Sequence, residues 1–492
     1  MNRLNQTIFA CFICMMTVLA AAWPSAAGAA GTRSRAEMVS EIDEYVQKNM
    51  KLNHIPGASL AIAKGDGTFY AKGYGTPSDG KGITAATPMP IASLSKSMTA
   101  LAVLQLADLG RIDLDAPYVS YVPDIKPADE RVNRITIRHL LNQTSGLNDK
   151  TNPDMTRPTP FRKLEEVASS LNGVKLAADP GKTYSYHNPN YQLLALLVER
   201  VSGQRFSDYL HDRVFGPLGM KDTFNVSATE QINANPAIPA GHYVLLGKPV
   251  AQEEPPWFID GPAGVVSTAE DMAKWMRAQY DAKLLSPGLL KQYHAAGEQG
   301  PYGMGWLASD EPDVGRTISH SGILWTYKSE ETIDLDQRLG IAMMFDAGLN
   351  AFIDYSAFLR GIADIMDGGK AEVSAVNSRN AETVLMALMA ATVLWEGFSL
   401  YRQIKHRNRA AMSRRKLIFA AIRALLPMLI LALLSPIVTF IGGGRVLPWQ
   451  GIWMTLPSVM LWLGLLSLAG IASFVCRCVL YRKTRRGSGI SA

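Results

Sequence analysis

The feature that most limits what this chain can become lies near its end. Three apolar stretches, 383–401, 417–441 and 452–475, each come near the ~20 residues an α-helix needs to cross a bilayer. The segment after the first carries Arg402, Lys405, Arg407, Arg409, Arg414, Arg415 and Lys416. The segment after the third carries Arg477, Arg482, Lys483, Arg485 and Arg486, whereas the turn between the second and third has only Arg445. Basic residues collect on the cytoplasmic side of membrane helices. The pattern therefore predicts three crossings, a cytoplasmic C-terminus and a long preceding region outside. The beginning of the chain agrees: Arg3, an apolar run over 7–22 and the small residues Ala27-Gly28-Ala29 read as a signal peptide over 1–29. The expected layout is a globular domain over 30–366, a small and polar linker over 367–382, and transmembrane helices at 383–401, 417–441 and 452–475 of a multi-pass cell-membrane protein.

Charge looks at first like a pointer to nucleic acid, since 49 Lys and Arg against 43 Asp and Glu leave a net +6. Its distribution removes that reading. From residue 402 onward there are 14 basic and no acidic residues, so residues 1–401 hold 35 basic against 43 acidic, a net of −8. The excess belongs to the membrane segment, and no nucleic-acid partner is expected. The four cysteines, Cys11, Cys14, Cys476 and Cys478, lie at the two ends, which excludes a disulfide framework or a cysteine metal site in between. Two charges fall inside the apolar stretches, Glu396 and Arg423. Both lie near the cytoplasmic ends of antiparallel neighbours, and two outcomes suit them: an ion pair at similar depth, or separate snorkelling to the interface.

Within the exported part, β-type segments at 58–64 and 68–73 are split by the hairpin signal Gly65-Asp66-Gly67. Others follow at 317–321, 325–333 and 339–345, with a turn over 334–338. Helical periodicity dominates between them, at 95–109, 191–201, 206–214 and 268–282. Strands from both ends of the domain joined by hairpins imply an α/β (α+β) assembly around one antiparallel sheet.

Three motifs carry chemistry. Ser93 and Lys96 sit three apart at the head of an apolar helix and share a face. A hydroxyl at a helix N-terminus lies where negative charge is favoured, and a lysine buried there can be neutral enough to take its proton. Ser-x-x-Lys also occurs at Ser78–Lys81 and Ser413–Lys416, so spacing alone is not specific. Tyr186-His187-Asn188 is the only Tyr-x-Asn, and its alternation would point Tyr186 and Asn188 the same way. A phenol beside a lysine is expected to have a lowered pKa and to shuttle protons. His320-Ser321-Gly322 lies in a β-type segment, where the glycine would let a substrate backbone approach. The N–H groups of Ile323 and Ser93 could then form an oxyanion hole.

In that order, roughly 90 and 130 residues apart, the three motifs resemble those of class C β-lactamases, low-molecular-weight penicillin-binding proteins and the related esterases and D-aminopeptidases. Ile55-Pro56-Gly57, 139–147 (HLLNQTSGL), 215–220 (FGPLGM), 264–272 (GVVSTAEDM) and 302–306 (YGMGW) extend the likeness over about 35–365. The resemblance implies a β-lactamase/transpeptidase-like fold, its sheet flanked by helices and joined to an all-helical subdomain. It implies that Ser93 is acylated, Lys96 is its base and Tyr186 its proton relay. Asn188 would orient the substrate amide, and His320, Ser321, Gly322 and Ile323 would form the edge strand on which a small-molecule or peptide substrate docks. No metal or cofactor is required. One departure stands out: where many relatives begin the third motif with lysine this chain has His320, as the esterase and D-peptidase branches do. The three terminal stretches also resemble membrane-bound D-asparaginyl peptidases that mature antibiotic or toxin precursors, such as the colibactin-maturation peptidase. A prodrug-activating peptidase, or a β-lactam receptor that never turns over, are the alternatives to a general hydrolase. His-Glu-x-x-His, Gly-x-Ser-x-Gly and Walker-type motifs are missing.

Overall fold

A computed structural model describes residues 33–487 except 79, 281–282, 312–314 and 406–413. The expected signal peptide, with Cys11 and Cys14, lies outside the described residues. Ser34 caps the first helix, α1 (Arg35–Asn53), with a reciprocal bond to Glu37. The chain then forms a hairpin, β1 (Gly57–Lys64) and β2 (Gly67–Gly75), and the central helix α2 (Ser95–Asp108). Further on lie α3 (Asn188–Ser202), α4 (Ala269–Ala278), four strands, β3 (Leu307–Glu311), β4 (Gly315–Ile323), β5 (Lys328–Asp334) and β6 (Leu339–Phe345), and α5 (Ser356–Met366).

The strands make one sheet in the order β2-β1-β6-β5-β4-β3, every neighbouring pair antiparallel. The chain's early hairpin and its late strands meet where β1 pairs β6, as hairpin-linked strands at both ends of the domain require. The strand β3 escaped sequence reading because Leu-Ala-Ser-Asp-Glu is mostly polar and exposed. Burial explains the layers. Along β6, Leu339, Ile341, Met343 and Phe345 join α1 and α5 in one core, while Ala342 and Met344 face a second core shared with α2, α3 and α4. This is period-two alternation with both faces covered. The helix α2 is buried nearly all round, the mark of a helix threaded through a core rather than laid on it.

Beyond the sheet domain come α6 (Ser378–Lys405), α7 (Arg414–Ile441), α8 (Trp449–Thr455) and α9 (Pro457–Gly487). Three helical stretches, Ser378–Lys405, Arg414–Ile441 and Pro457–Arg482, are long and apolar enough to cross a membrane. Two boundaries differ from expectation. The helix α6 starts inside the segment read as linker, where Asn53 Oδ1 accepts the Ser378 N–H at 3.0 Å. The third apolar stretch is divided at Leu456 (φ −136°, ψ 43°), because a residue preceding proline is held out of the helical region. Of the two outcomes open to the charges inside the apolar stretches, pairing is realised: Arg423 Nη2 lies 2.9 Å from Glu396 Oε2 and donates also to Ser473 Oγ at 3.0 Å.

The helices do not hang from a free tether. Gly451 of α8 lies under the Trp325 ring, where a Cβ would come within 2.3 Å of it. Ser458 joins Glu382 Oε2 at 2.6 Å and accepts the Leu246 N–H at 3.0 Å.

Candidate active site

Ser93 occupies a 3-10 turn, residues 92–94, that runs directly into α2. Ala92, the residue before it, has φ +47° and is fully buried. Left-handed backbone costs a non-glycine residue roughly 1–2 kcal/mol, so the packing around Ser93 imposes it. Ser95 Oγ, accepting the Val265 N–H at 3.0 Å, and Thr99 Oγ1, donating to Gly261 O at 2.6 Å, fasten the turn to the 261–265 loop. Lys96 is 0% exposed, with Nζ 2.9 Å from Ser93 Oγ and 3.0 Å from Pro262 O. Burial holds its amine well below the usual lysine range; the Arg445 charge adds to that and Asp154 opposes it.

Tyr186 closes the other side, with the Lys96 amine 4.8 Å from its ring centroid and its hydroxyl facing Ser93. The expectation of an acidified phenol is overturned: burial pushes Tyr186 up to about 12, and the Ser93 hydrogen bond only moderates the rise. The phenol is therefore a neutral O–H at rest.

Tyr186 stays in place through a polar scaffold that local sequence reading did not foresee. Gln143, at φ +59°, accepts the His187 N–H at 3.0 Å and the Asn190 amide at 2.6 Å through Oε1, and the Ser185 N–H through its carbonyl at 2.9 Å. Asp149 binds His187 Nδ1 at 2.9 Å. Asn188 is the first residue of α3 rather than part of an extended strand. Its amide nitrogen donates to Asp154 at 3.0 Å, and its buried Oδ1 has no hydrogen-bond partner among the described residues.

The third motif departs from expectation in three ways. First, β4 is not the sheet's edge. Its pairing with β3 covers Gly315 to Ser319 and stops, which leaves His320 to Ile323 open on that side. Second, His320 faces the site, with Tyr302 Oη 3.3 Å from Nε2, but Ser321 turns to the opposite face and is held by Lys328 at 2.6 Å and Glu330 at 3.1 Å. Only the Ser321 main chain is left to meet a substrate. Third, Gly322 lacks a Cβ because the protein is there already. A methyl would lie 2.0 Å from Ser329 Oγ and 2.4 Å from Ile91 O, so the glycine lets the Ser93 turn abut the strand and brings Ile323 near Ser93. Burial, reinforced by the Lys96 charge, pushes His320 down to about 3, so the imidazole is neutral and supplies no cation. Glu254, 1% exposed, fixes the chain after Ile323 by accepting the N–H groups of Trp325 at 2.8 Å and Thr326 at 2.9 Å.

One further residue arrives from far along the chain. Arg445, in the turn between α7 and α9, donates to Tyr186 O at 3.1 Å and lies 3.0 Å from Asp149 Oδ1. The only sequence signal for it was its isolation as the sole charge in that turn.

Residues 42–355, with every motif residue among them, match the Beta-lactamase family. The chain belongs to that family. Members act as serine hydrolases on small-molecule or peptide substrates. Protein flp of Staphylococcus aureus (strain MW2) is 28% identical over 397 residues, 76% of this chain and 77% of that one. Among solved structures, the octameric penicillin-binding protein homologue from Pyrococcus abyssi has a TM-score of 0.58 at 22% identity, covering 71% of this chain and 81% of that one. D-alanine carboxypeptidase AmpC from Burkholderia cenocepacia follows at 0.55 and 19%, covering 68% and 99%. Both structural likenesses are likenesses of fold.

Proposed function

We propose that this protein is a membrane-anchored hydrolase whose catalytic domain works outside the cytoplasm and whose C-terminus lies inside. It acts on an amide, peptide or ester through an acyl-enzyme on Ser93. The observation that carries this reading is one hydroxyl held by a buried amine at 2.9 Å and faced by a buried phenol. Lys96, whose hold on a proton burial weakens, takes the Ser93 proton as Oγ bonds to the substrate carbonyl carbon. The N–H groups of Ser93 and Ile323 receive the developing oxyanion. Tyr186, protonated at rest, gives its proton to the leaving group as the scissile bond breaks and recovers one from Lys96. Water then attacks the acyl carbon, delivers a proton back through the same pair and releases Ser93. The open acceptor of Asn188 suits a substrate amide N–H, and the free edge of His320 to Ile323 suits an extended substrate backbone. The neutral His320 supports an ester or D-peptide substrate over a β-lactam, whose carboxylate would meet no cation from that motif.

Intact-mass measurement of the full-length protein with a fluorophosphonate, a penicillin and an N-acyl-D-Asn amide tests the assignment. Labelling by the phosphonate, lost in Ser93→Ala, is the expected result; labelling that survives the substitution refutes it. Release of product from the D-Asn amide would select the prodrug-activating peptidase, and lasting penicilloylation the receptor.

A further inference from the structure

Among the described residues of the membrane segment, the turn between the second and third apolar helices is the part that reaches the catalytic residues. Its single cation, Arg445, has a side chain only 16% exposed. One nitrogen, Nη1, serves both Asp149 Oδ1 at 3.0 Å and the Tyr186 carbonyl at 3.1 Å, and the next residue, Val446, donates its N–H to Asp149 Oδ2 at 3.0 Å. The oxygen that meets Arg445, Asp149 Oδ1, also holds His187 Nδ1 at 2.9 Å. Asp149, 3% exposed in its side chain, thus clamps the membrane turn to the Tyr186-His187-Asn188 segment. A buried charged pair survives only where both partners are fully bonded, and here the bonds run through the segment that carries Tyr186.

We infer that this turn is a wall of the active site and that Arg445 is a positioning residue, fixing Tyr186 and setting the charge that Lys96 faces. The inference rests on the hydrolase reading above. Arg445 has its guanidinium carbon 5.5 Å and Lys96 its amine 4.8 Å from the centroid of one ring, that of Tyr186. The two cations are therefore no more than about 10 Å apart, and at the effective dielectric near 20 that suits such sites, their repulsion depresses the Lys96 amine by about one pH unit. The other groups facing Lys96 are Asp154, which opposes that effect, the uncharged phenols of Tyr186 and Tyr191, and His320, which is neutral. Removing the Arg445 charge raises the amine's pKa, so less of the neutral base is present at a given pH. The acidic limb of the activity profile then moves to higher pH. A catalytic domain without this turn is, on this view, an incomplete enzyme.

The test uses the full-length protein in membranes and the rate of fluorophosphonate acylation as a function of pH. Arg445→Gln should move the acidic limb up by about one unit and slow acylation roughly tenfold on that limb, as one unit implies. Arg445→Lys, which keeps the charge, should return the limb close to its original position. A purely structural role would lower the yield or melting temperature of both variants and leave the limb unmoved, and that outcome overturns the inference. Failure of the hydrolase reading is recognised separately, because the wild-type protein would then show no label lost in Ser93→Ala. Should Arg445→Gln fail to accumulate, hydrogen exchange in the wild-type protein decides. Slow exchange at Val446 that matches the 185–188 segment supports the wall; exchange as fast as an exposed turn refutes it.

Discussion

Glu331 on β5 is the most exposed weakness in the energetics of this fold, and it yields a prediction with a worked size. Its register partner across the strand pair is His320. It is 1% exposed, neither carboxyl oxygen has a hydrogen-bond partner among the described residues, and the indole of Trp275 that comes near it is likewise unbonded. Burial pushes the group from 4.5 up to about 8. A carboxyl raised in the folded state keeps its proton longer there than in the unfolded chain, so stability is full below pH 4.5 and is lost as pH rises toward 8. At about 1.4 kcal/mol per unit, the loss between pH 5 and 8 comes to about 3–4 kcal/mol. Glu331→Gln cannot ionise and keeps nearly the same shape. Thermal melts followed by near-ultraviolet circular dichroism should show the two proteins alike at pH 5 and the variant several degrees more stable at pH 8. Parallel pH dependences, with no gain at pH 8, would refute the claim that this carboxyl is buried without a partner.

Three other outcomes follow from geometry already given. Gly322→Ala should slow acylation at least tenfold and lower the melting temperature, since a Cβ 2.0 Å from Ser329 Oγ must push β4 and the Ser93 turn apart; normal labelling kinetics would contradict it. Ala92→Gly should stabilise the protein by about 1 kcal/mol in denaturant melts, because glycine takes a positive φ without strain; no gain would mean the turn is unstrained. Glu396→Arg should reduce membrane accumulation by setting two cations against each other, and adding Arg423→Glu should restore it. An unchanged level in the single variant, or no recovery in the double, would count against a functional pair.

What was legible in the sequence was local or periodic. Ser93 and Lys96 declare themselves through helical spacing, β1 and β2 through the glycine turn between them, and the three apolar helices through length and flanking charge. What was not legible depends on neighbours distant in the chain. The direction of Ser321 follows from Lys328 and Glu330 holding it on the far face. The role of Gly322 follows from Ile91 and Ser329 rather than from any ligand. The Tyr186 phenol was misjudged because proximity to a lysine is visible in a motif, whereas the burial that lowers the lysine and raises the phenol is not. Likewise the proline at 457 marks the break in the third apolar stretch, yet only the contact of Gly451 with Trp325 shows why the piece before it folds onto the domain.

That contact has a mechanical consequence. With α6, α7 and α9 in a bilayer, Trp325 resting on α8 and Ser378 hooked by Asn53 leave the domain no slack with which to swing or rise. Under the proposed topology, Ser93 would ride at one fixed height above the lipid, and the hydrolase would sample what passes through that thin layer.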